Sequence, residues 1–130
     1  MRELPIIGDA DRGCLAVLES GPALPFPIAR VYYLFGTPPG TRRGRHAHRA
    51  LHQLAVCVSG SCTMLLDDGY SRHEAVLDRP QVAVELPPMV WHEMHGFSDD
   101  CVLMVLASAP YDEADYIRHY DDFLAAVRQG

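Results

Sequence analysis

The chain has 130 residues, 48% of them hydrophobic and 22% charged, with a formal net charge of -6. That length suits a single domain over residues 1–130, and the acidic balance excludes the broad basic surface that nucleic-acid binding requires. No apolar run approaches the ~20 residues that cross a bilayer, and residues 1–5 lack a signal-peptide core, so a cytoplasmic setting with reduced cysteines is expected.

Short apolar runs separated by turn residues fill most of the chain. Strands are expected over 14–18 and 28–35, followed by a loop at Pro38-Pro39-Gly40. Further strands are expected over 52–58, 62–66, 73–77, 82–86 and 101–107. Ser59-Gly60, Asp68-Gly69, Asp78-Arg79-Pro80 and Pro87-Pro88 punctuate them. Cys57 and Cys62 flank the first of these turns and would face each other across a hairpin, as core thiols. Only residues 116–129 carry a helical period, with Ile117, Tyr120, Leu124 and Val127 on one stripe and Asp115 able to cap the start. An all-β domain with one short C-terminal helix results.

The most informative segment is Arg42-Arg43-Gly44-Arg45-His46-Ala47-His48-Arg49. On a strand, positions i and i+2 share a face, so His46 and His48 converge on one ligand. Imidazole moves protons or holds a metal near neutral pH. Four of the eleven cationic residues fall in this stretch of an acidic chain, which reads as a site for an anionic small molecule. The chain has no lysine, so Schiff-base chemistry is excluded. It has no asparagine either, so anion recognition falls to Arg, His, hydroxyls and backbone amides.

The run from Gly40 through His46, His48 and Gln53 to Gly60 resembles the first cupin motif, with Gln53 where the motif has Glu. Pro87-Pro88-Met89-Val90-Trp91-His92 echoes the second, with Met89 in place of Gly and Gly96 in place of Asn. More of the chain is similar to the nucleotide-sugar 3,4-ketoisomerases of the WxcM-like group. The resemblance rests on Arg30-Val31-Tyr32-Tyr33, Arg43-Gly44, His46-Ala47-His48, the run from Val56 to Cys62, Leu66-Asp67-Asp68-Gly69, Trp91-His92-Glu93-Met94-His95 and the run from Asp112 to Arg118.

This resemblance implies a cupin jelly roll. It implies an enzyme converting dTDP-4-keto-6-deoxyglucose to a 3-keto isomer, with no metal or other cofactor, as a homodimer that exchanges N-terminal strands. By the same resemblance His48 is the C3 base and His46 serves C4 or the enediol oxygens. Tyr33 and Arg43 are expected to stabilise the enediolate, with the diphosphate as the other role open to Arg43. Arg12, Arg30 and Arg45 would grip the diphosphate, and Gln53, Trp91, His92 and His95 complete the substrate-binding set.

Bland readings apply elsewhere. His73 and His119 read as surface residues, His52 as facing away from Gln53, and Trp91 equally as core packing. Two other functions compete. A metal-dependent cupin would use His46, His48 and His92 as ligands, although a glutamine replaces the carboxylate and arginines lie nearby. A non-catalytic nucleotide-sugar-binding cupin would explain the arginines, but recognition alone does not need two adjacent proton carriers.

Overall fold

Strand β6 (Gln53–Ser59) begins with five consecutive buried residues, Gln53 to Cys57. Its alternate residues enter different clusters, Ala55 and Cys57 on one side and Leu54 and Val56 on the other. A strand buried on both faces must be central and covered twice. The computed structural model, which describes residues 1–21 and 24–129, bears this out. Strand β6 lies between β9 (Val82–Leu86) and β11 (Val102–Ala107) in a five-stranded sheet. The sheet is completed by β1 (Arg2–Glu3) beside β9 and β4 (Arg30–Leu34) beside β11, all antiparallel.

A second five-stranded sheet faces it, in the order β12-β5-β10-β7-β8. These strands are β5 (Arg43–His48), β7 (Cys62–Asp67), β8 (Arg72–Leu77), β10 (Trp91–His95) and β12 (Tyr116–Ile117). Between the sheets lies the main core, including Met64, Leu77, Val84, Met94, Phe97, Leu103 and Val105. Helix α1 (Tyr120–Gln129) covers the outer face of the second sheet, where Phe123 packs with Ala47, Trp91 and Ile117. Leu4, Leu24 and Phe26 cover the outer face of the first. This is the expected cupin-like jelly roll with one short C-terminal helix.

Three expectations change. Residues 91–95 form a strand that the periodicity did not single out. The expected helix over 116–129 starts late: Tyr116 and Ile117 pair with His48 and Ala47 as β12, and the helix begins at Tyr120. Asp115 therefore caps no helix. It ends a short 3₁₀ turn, Glu113–Asp115, whose own cap is Asp112. Cys57 and Cys62 do meet, Sγ to Sγ 3.5 Å, but not as partners in a hairpin. Their strands belong to different sheets, and Ser59-Gly60-Ser61 turns the corner between them. Gly60 makes that corner possible: its φ is 66°, and a Cβ would sit 2.4 Å from Ser98 Oγ.

Strands β2 (Ile6–Asp9) and β3 (Gly13–Ala16) pair only with each other, in a ribbon exposed along its whole length.

Phe123 has no exposure and holds α1 against Trp91. Replacing Phe123 by Ala is expected to cost about 3–5 kcal/mol of unfolding free energy in urea titration. A loss below about 1 kcal/mol would mean that the helix is not anchored by this ring.

Candidate active site

The inward-facing residues of the two sheets differ along the barrel. Near one end they are thiols, with Cys57 Sγ 3.5 Å from Cys62 and 3.7 Å from Cys101. Elsewhere β5 and β10 turn three imidazoles inward. Ala47 packs outward under the helix, so its neighbours His46 and His48 point the other way. His92 lies opposite His46 in the β5–β10 pair. The ring of His46 is 4.6 Å from that of His92 and 5.0 Å from that of His48, centroid to centroid.

A β-bulge aims His46. His92 pairs with His46 and Glu93 with Gly44, leaving Arg45 unpaired, with φ 59°. The same bulge brings the Gly44 carbonyl to His46 Nδ1 at 3.0 Å. A carbonyl only accepts, so Nδ1 carries the proton and Nε2 carries the lone pair. Gly44 itself has φ 82°, and a Cβ there would lie 2.9 Å from Met94 Sδ.

His46 opens on a cavity of about 330 Å³, lined also by Arg30, Tyr32, Arg43, Tyr116 and Arg118. His48 lines a smaller cavity of about 140 Å³ with Arg30, Ser108, Asp115 and Tyr116. Arg30 and Tyr116 belong to both, so the two cavities share walls. Tyr116 stands 4.9 Å from the His46 ring and 4.3 Å from the His48 ring.

Burial sets the charge here. Desolvation, with His48 nearby, pushes the His46 pKa down to about 4. His48 is also lowered by burial, against the opposing pull of Asp115. His92 falls to about 3, through burial and then its two histidine neighbours. All three rings are therefore neutral at pH 7 and able to accept a proton. Burial raises the Tyr32 hydroxyl to about 12. Arg30 is the cation deepest in the site. Its Nε and Nη2 are buried without a hydrogen-bond partner among the described residues, while its guanidinium lies 5.2 Å over the Tyr32 ring. Unpaired donors of this kind suit an incoming anion or a developing oxyanion.

The expected site residues separate cleanly. His46, His48, His92, Arg30 and Arg43 come together. Gln53 is buried nearby and accepts a hydrogen bond from Tyr32 at 2.7 Å. Tyr33 does not belong: it is on the outer face of β4, 62% exposed beside Phe35. Tyr32 takes the inward place, because neighbours on a strand face opposite ways. Trp91 is buried beneath the helix, donating to Glu93 at 2.8 Å, and reaches neither cavity. His95 faces out like Trp91, its nearest ionic partner being Glu74 at 3.9 Å. Arg45 is the exposed residue of the bulge. Arg12, its side chain 85% exposed, pairs with Asp9 on the free ribbon. Tyr116 and Arg118 were missed. Both lie in the run that carried the family resemblance, but reading 116–129 as helix concealed them.

Comparison with known proteins agrees. Residues 1–128 match the family described as FdtA: WxcM-like, C-terminal. The chain is 54% identical over 112 residues to the TDP-4-oxo-6-deoxy-alpha-D-glucose-3,4-oxoisomerase of Aneurinibacillus thermoaerophilus, covering 86% of this chain and 81% of that one. It superposes on a histidine-to-asparagine mutant of the 3,4-ketoisomerase QdtA from Thermoanaerobacterium thermosaccharolyticum, solved with TDP-4-keto-6-deoxyglucose. There the TM-score is 0.93 and the identity 37%, over 98% of this chain and 91% of the other. A TDP-quinovose 3,4-ketoisomerase from Campylobacter jejuni is 45% identical, with TM-score 0.89, covering 95% and 94% respectively.

The lowered imidazole pKa values carry a stability consequence. An unfolded histidine titrates near 6.5 and folded His46 near 4, so between these values the unfolded chain binds more protons. Stability is then full above pH 6.5 and falls as the pH drops toward 4, with His92 extending the loss toward 3. Urea midpoints measured across this window should fall with acid, and His46→Gln and His92→Gln should each flatten the slope. Identical slopes in all three proteins would remove the buried imidazoles as its cause.

Proposed function

The chain belongs to the FdtA, WxcM-like C-terminal family, and on that premise we propose how its residues carry out the 3,4-ketoisomerisation of a dTDP-linked 4-keto-6-deoxy sugar. It is an isomerase of this class, acting on dTDP-4-keto-6-deoxyglucose. The C3 proton of that sugar is acidic because its removal delocalises charge into the C4 ketone as an enediolate. The proton on O3 passes to O4, and a proton delivered to C4 leaves the ketone at C3. The observation that carries the reading is a pair of neutral imidazoles, His46 and His48, on one inner face beside an arginine with free buried donors.

His46 opens on the larger, arginine-bearing cavity, whereas His48 is 3% exposed on the smaller one. This supports His46 as the C3 base and His48 as the group serving C4 and the enediol oxygens, the reverse of the division that the resemblance implied. Arg30 stabilises the enediolate, with Tyr32 in the role expected of Tyr33. Arg43 and Arg118, at the cavity wall, suit the diphosphate. Four free cysteines support a reducing, cytoplasmic setting.

A second reading has one observation in its favour: the ligand atoms of His46, His48 and His92 all lie within 4.8 Å of one another. Three imidazoles can hold zinc or iron. Against it, Gln53 offers an amide already bound to Tyr32.

One NMR time course in D2O with dTDP-4-keto-6-deoxyglucose tests these roles. Wild type should form the 3-keto product with deuterium at C4 and exchange deuterium into C3 of the remaining substrate, before and after chelation. His46→Asn should abolish C3 exchange. His48→Asn should retain exchange but lower kcat by about 10²–10⁴-fold. No turnover and no exchange in wild type would sink the substrate assignment. Loss of activity on chelation, with stoichiometric metal in the untreated protein, would favour the second reading.

The exposed ribbon supports a strand-exchanged homodimer. Ile6, Ile7 and Leu15 lie bare on β2 and β3, and Val31, Tyr33 and Phe35 lie bare along the edge strand β4 and its end. Apolar surface on a detached ribbon and on an open sheet edge of the same chain fits two copies that exchange ribbons. Arg12, at the ribbon's turn, then reaches a partner's cavity instead of its own. Light scattering after gel filtration should give twice the chain mass. Ile7→Glu combined with Tyr33→Glu should give a monomer of low activity. A fully active monomer would exclude the exchange.

A further inference from the structure

The mechanism above leaves Asp115, in the wall of the smaller cavity, without a task. Asp115 ends the 3₁₀ turn Glu113–Asp115 immediately before β12. Both of its carboxylate oxygens are engaged from 64–67 positions away in sequence: Oδ1 accepts from Ala50 N at 2.8 Å and Oδ2 from Leu51 N at 3.1 Å. Its backbone carbonyl accepts from Arg49 N at 3.0 Å. The segment that follows β5 is thus wrapped round this one residue.

His48 Nδ1 makes the remaining contact, 3.2 Å from Asp115 Oδ2. Both carboxylate oxygens already accept backbone protons, so the proton between aspartate and imidazole sits on Nδ1. The lone pair then lies on Nε2, which is buried and has no hydrogen-bond partner among the described residues. Around this ring stand His46, His92 and Tyr116, with the cations Arg30 and Arg118 near enough to disfavour its charged form. Asp115 is the acidic group that touches it.

We infer that Asp115 is a positioning residue, holding His48 in the Nδ1–H tautomer and fixing its ring so that Nε2 faces the sugar. The inference rests on the ketoisomerase reading in which His48 carries a proton. Asp115 makes and breaks no bond and keeps no proton; proton traffic passes through Nε2. A loop cap alone would need only the amides of Ala50 and Leu51. The imidazole contact is the additional feature, and it fixes which nitrogen is basic.

Two measurements test the assignment. In the ¹⁵N–¹H NMR spectrum of the wild-type protein, His48 should show protonated Nδ1 and unprotonated Nε2. The opposite tautomer would overturn the proposal. This readout needs no turnover, so it remains decisive even if the substrate assignment fails. The second is kinetic. Asp115→Ala should behave like His48→Asn, retaining C3 exchange with KM within about twofold and lowering kcat by about 10²-fold. Added to His48→Asn, it should cost less than about twofold more, because its effect passes through that ring. Losses that multiply in the double variant, or a KM that rises with kcat unchanged, would reduce Asp115 to a loop cap and overturn the inference.

Discussion

Strands β6, β9, β10 and β11 each have to cover two faces at once. The apolar core between the sheets claims one set of alternate residues, and the outer layers claim the other. With both faces committed, none of these strands can slip by one residue without exchanging its inner and outer sets. The placement of the imidazoles follows from this. Ala47 is held outward by Trp91, Ile117 and Phe123, and that contact forces His46 and His48 inward. On β10 the same layer takes Trp91, while His92 turns in to meet them. The helix, remote from any chemistry, is therefore part of what keeps the histidines aimed.

Burial then does the electrostatic work. Three imidazoles share a small volume with arginines close by, and the neutral form of each is the cheaper one to bury. A neutral ring with one nitrogen committed to a fixed acceptor is a directed base. His46 has the Gly44 carbonyl for this purpose, supplied by the bulge at Arg45, and His48 has Asp115. The charge absent from the imidazoles is provided by Arg30, whose free donors are held in the wall common to both cavities. In the proposed mechanism proton transfer and charge stabilisation fall to different side chains, which suits a reaction whose intermediate is anionic and whose carriers must alternately accept and donate.

Much of this was legible beforehand. The i, i+2 spacing of His46 and His48 needed only a strand to become a shared face, and the arginine density beside them announced an anionic ligand. Trp91, His95 and Tyr33 were misplaced for one common reason. Alternation says that neighbours face opposite ways, but which set faces inward depends on what packs against the other side. Arg45 was lost to the bulge, an insertion that no local pattern reveals. Asp115 and Tyr116 were concealed by a helical period that begins only at Tyr120, their β-pairing being decided by His48 and Ala47 far upstream.

What the sequence by itself determined was the all-β character, the terminal helix, the face shared by the two histidines and the anionic character of the ligand. These follow from local periodicity and from charge counted along the chain. Only the tertiary structure decided that Tyr32 and not Tyr33 reaches the cavity, that Arg118 and Tyr116 join its wall, and that Asp115 lies under His48 across 67 positions of sequence. Local pattern records which residues can share a face. Which face becomes the interior, and which distant side chain meets it there, is set by the packing of the other sheet, the helix and the loops, and is written in no single stretch of the chain.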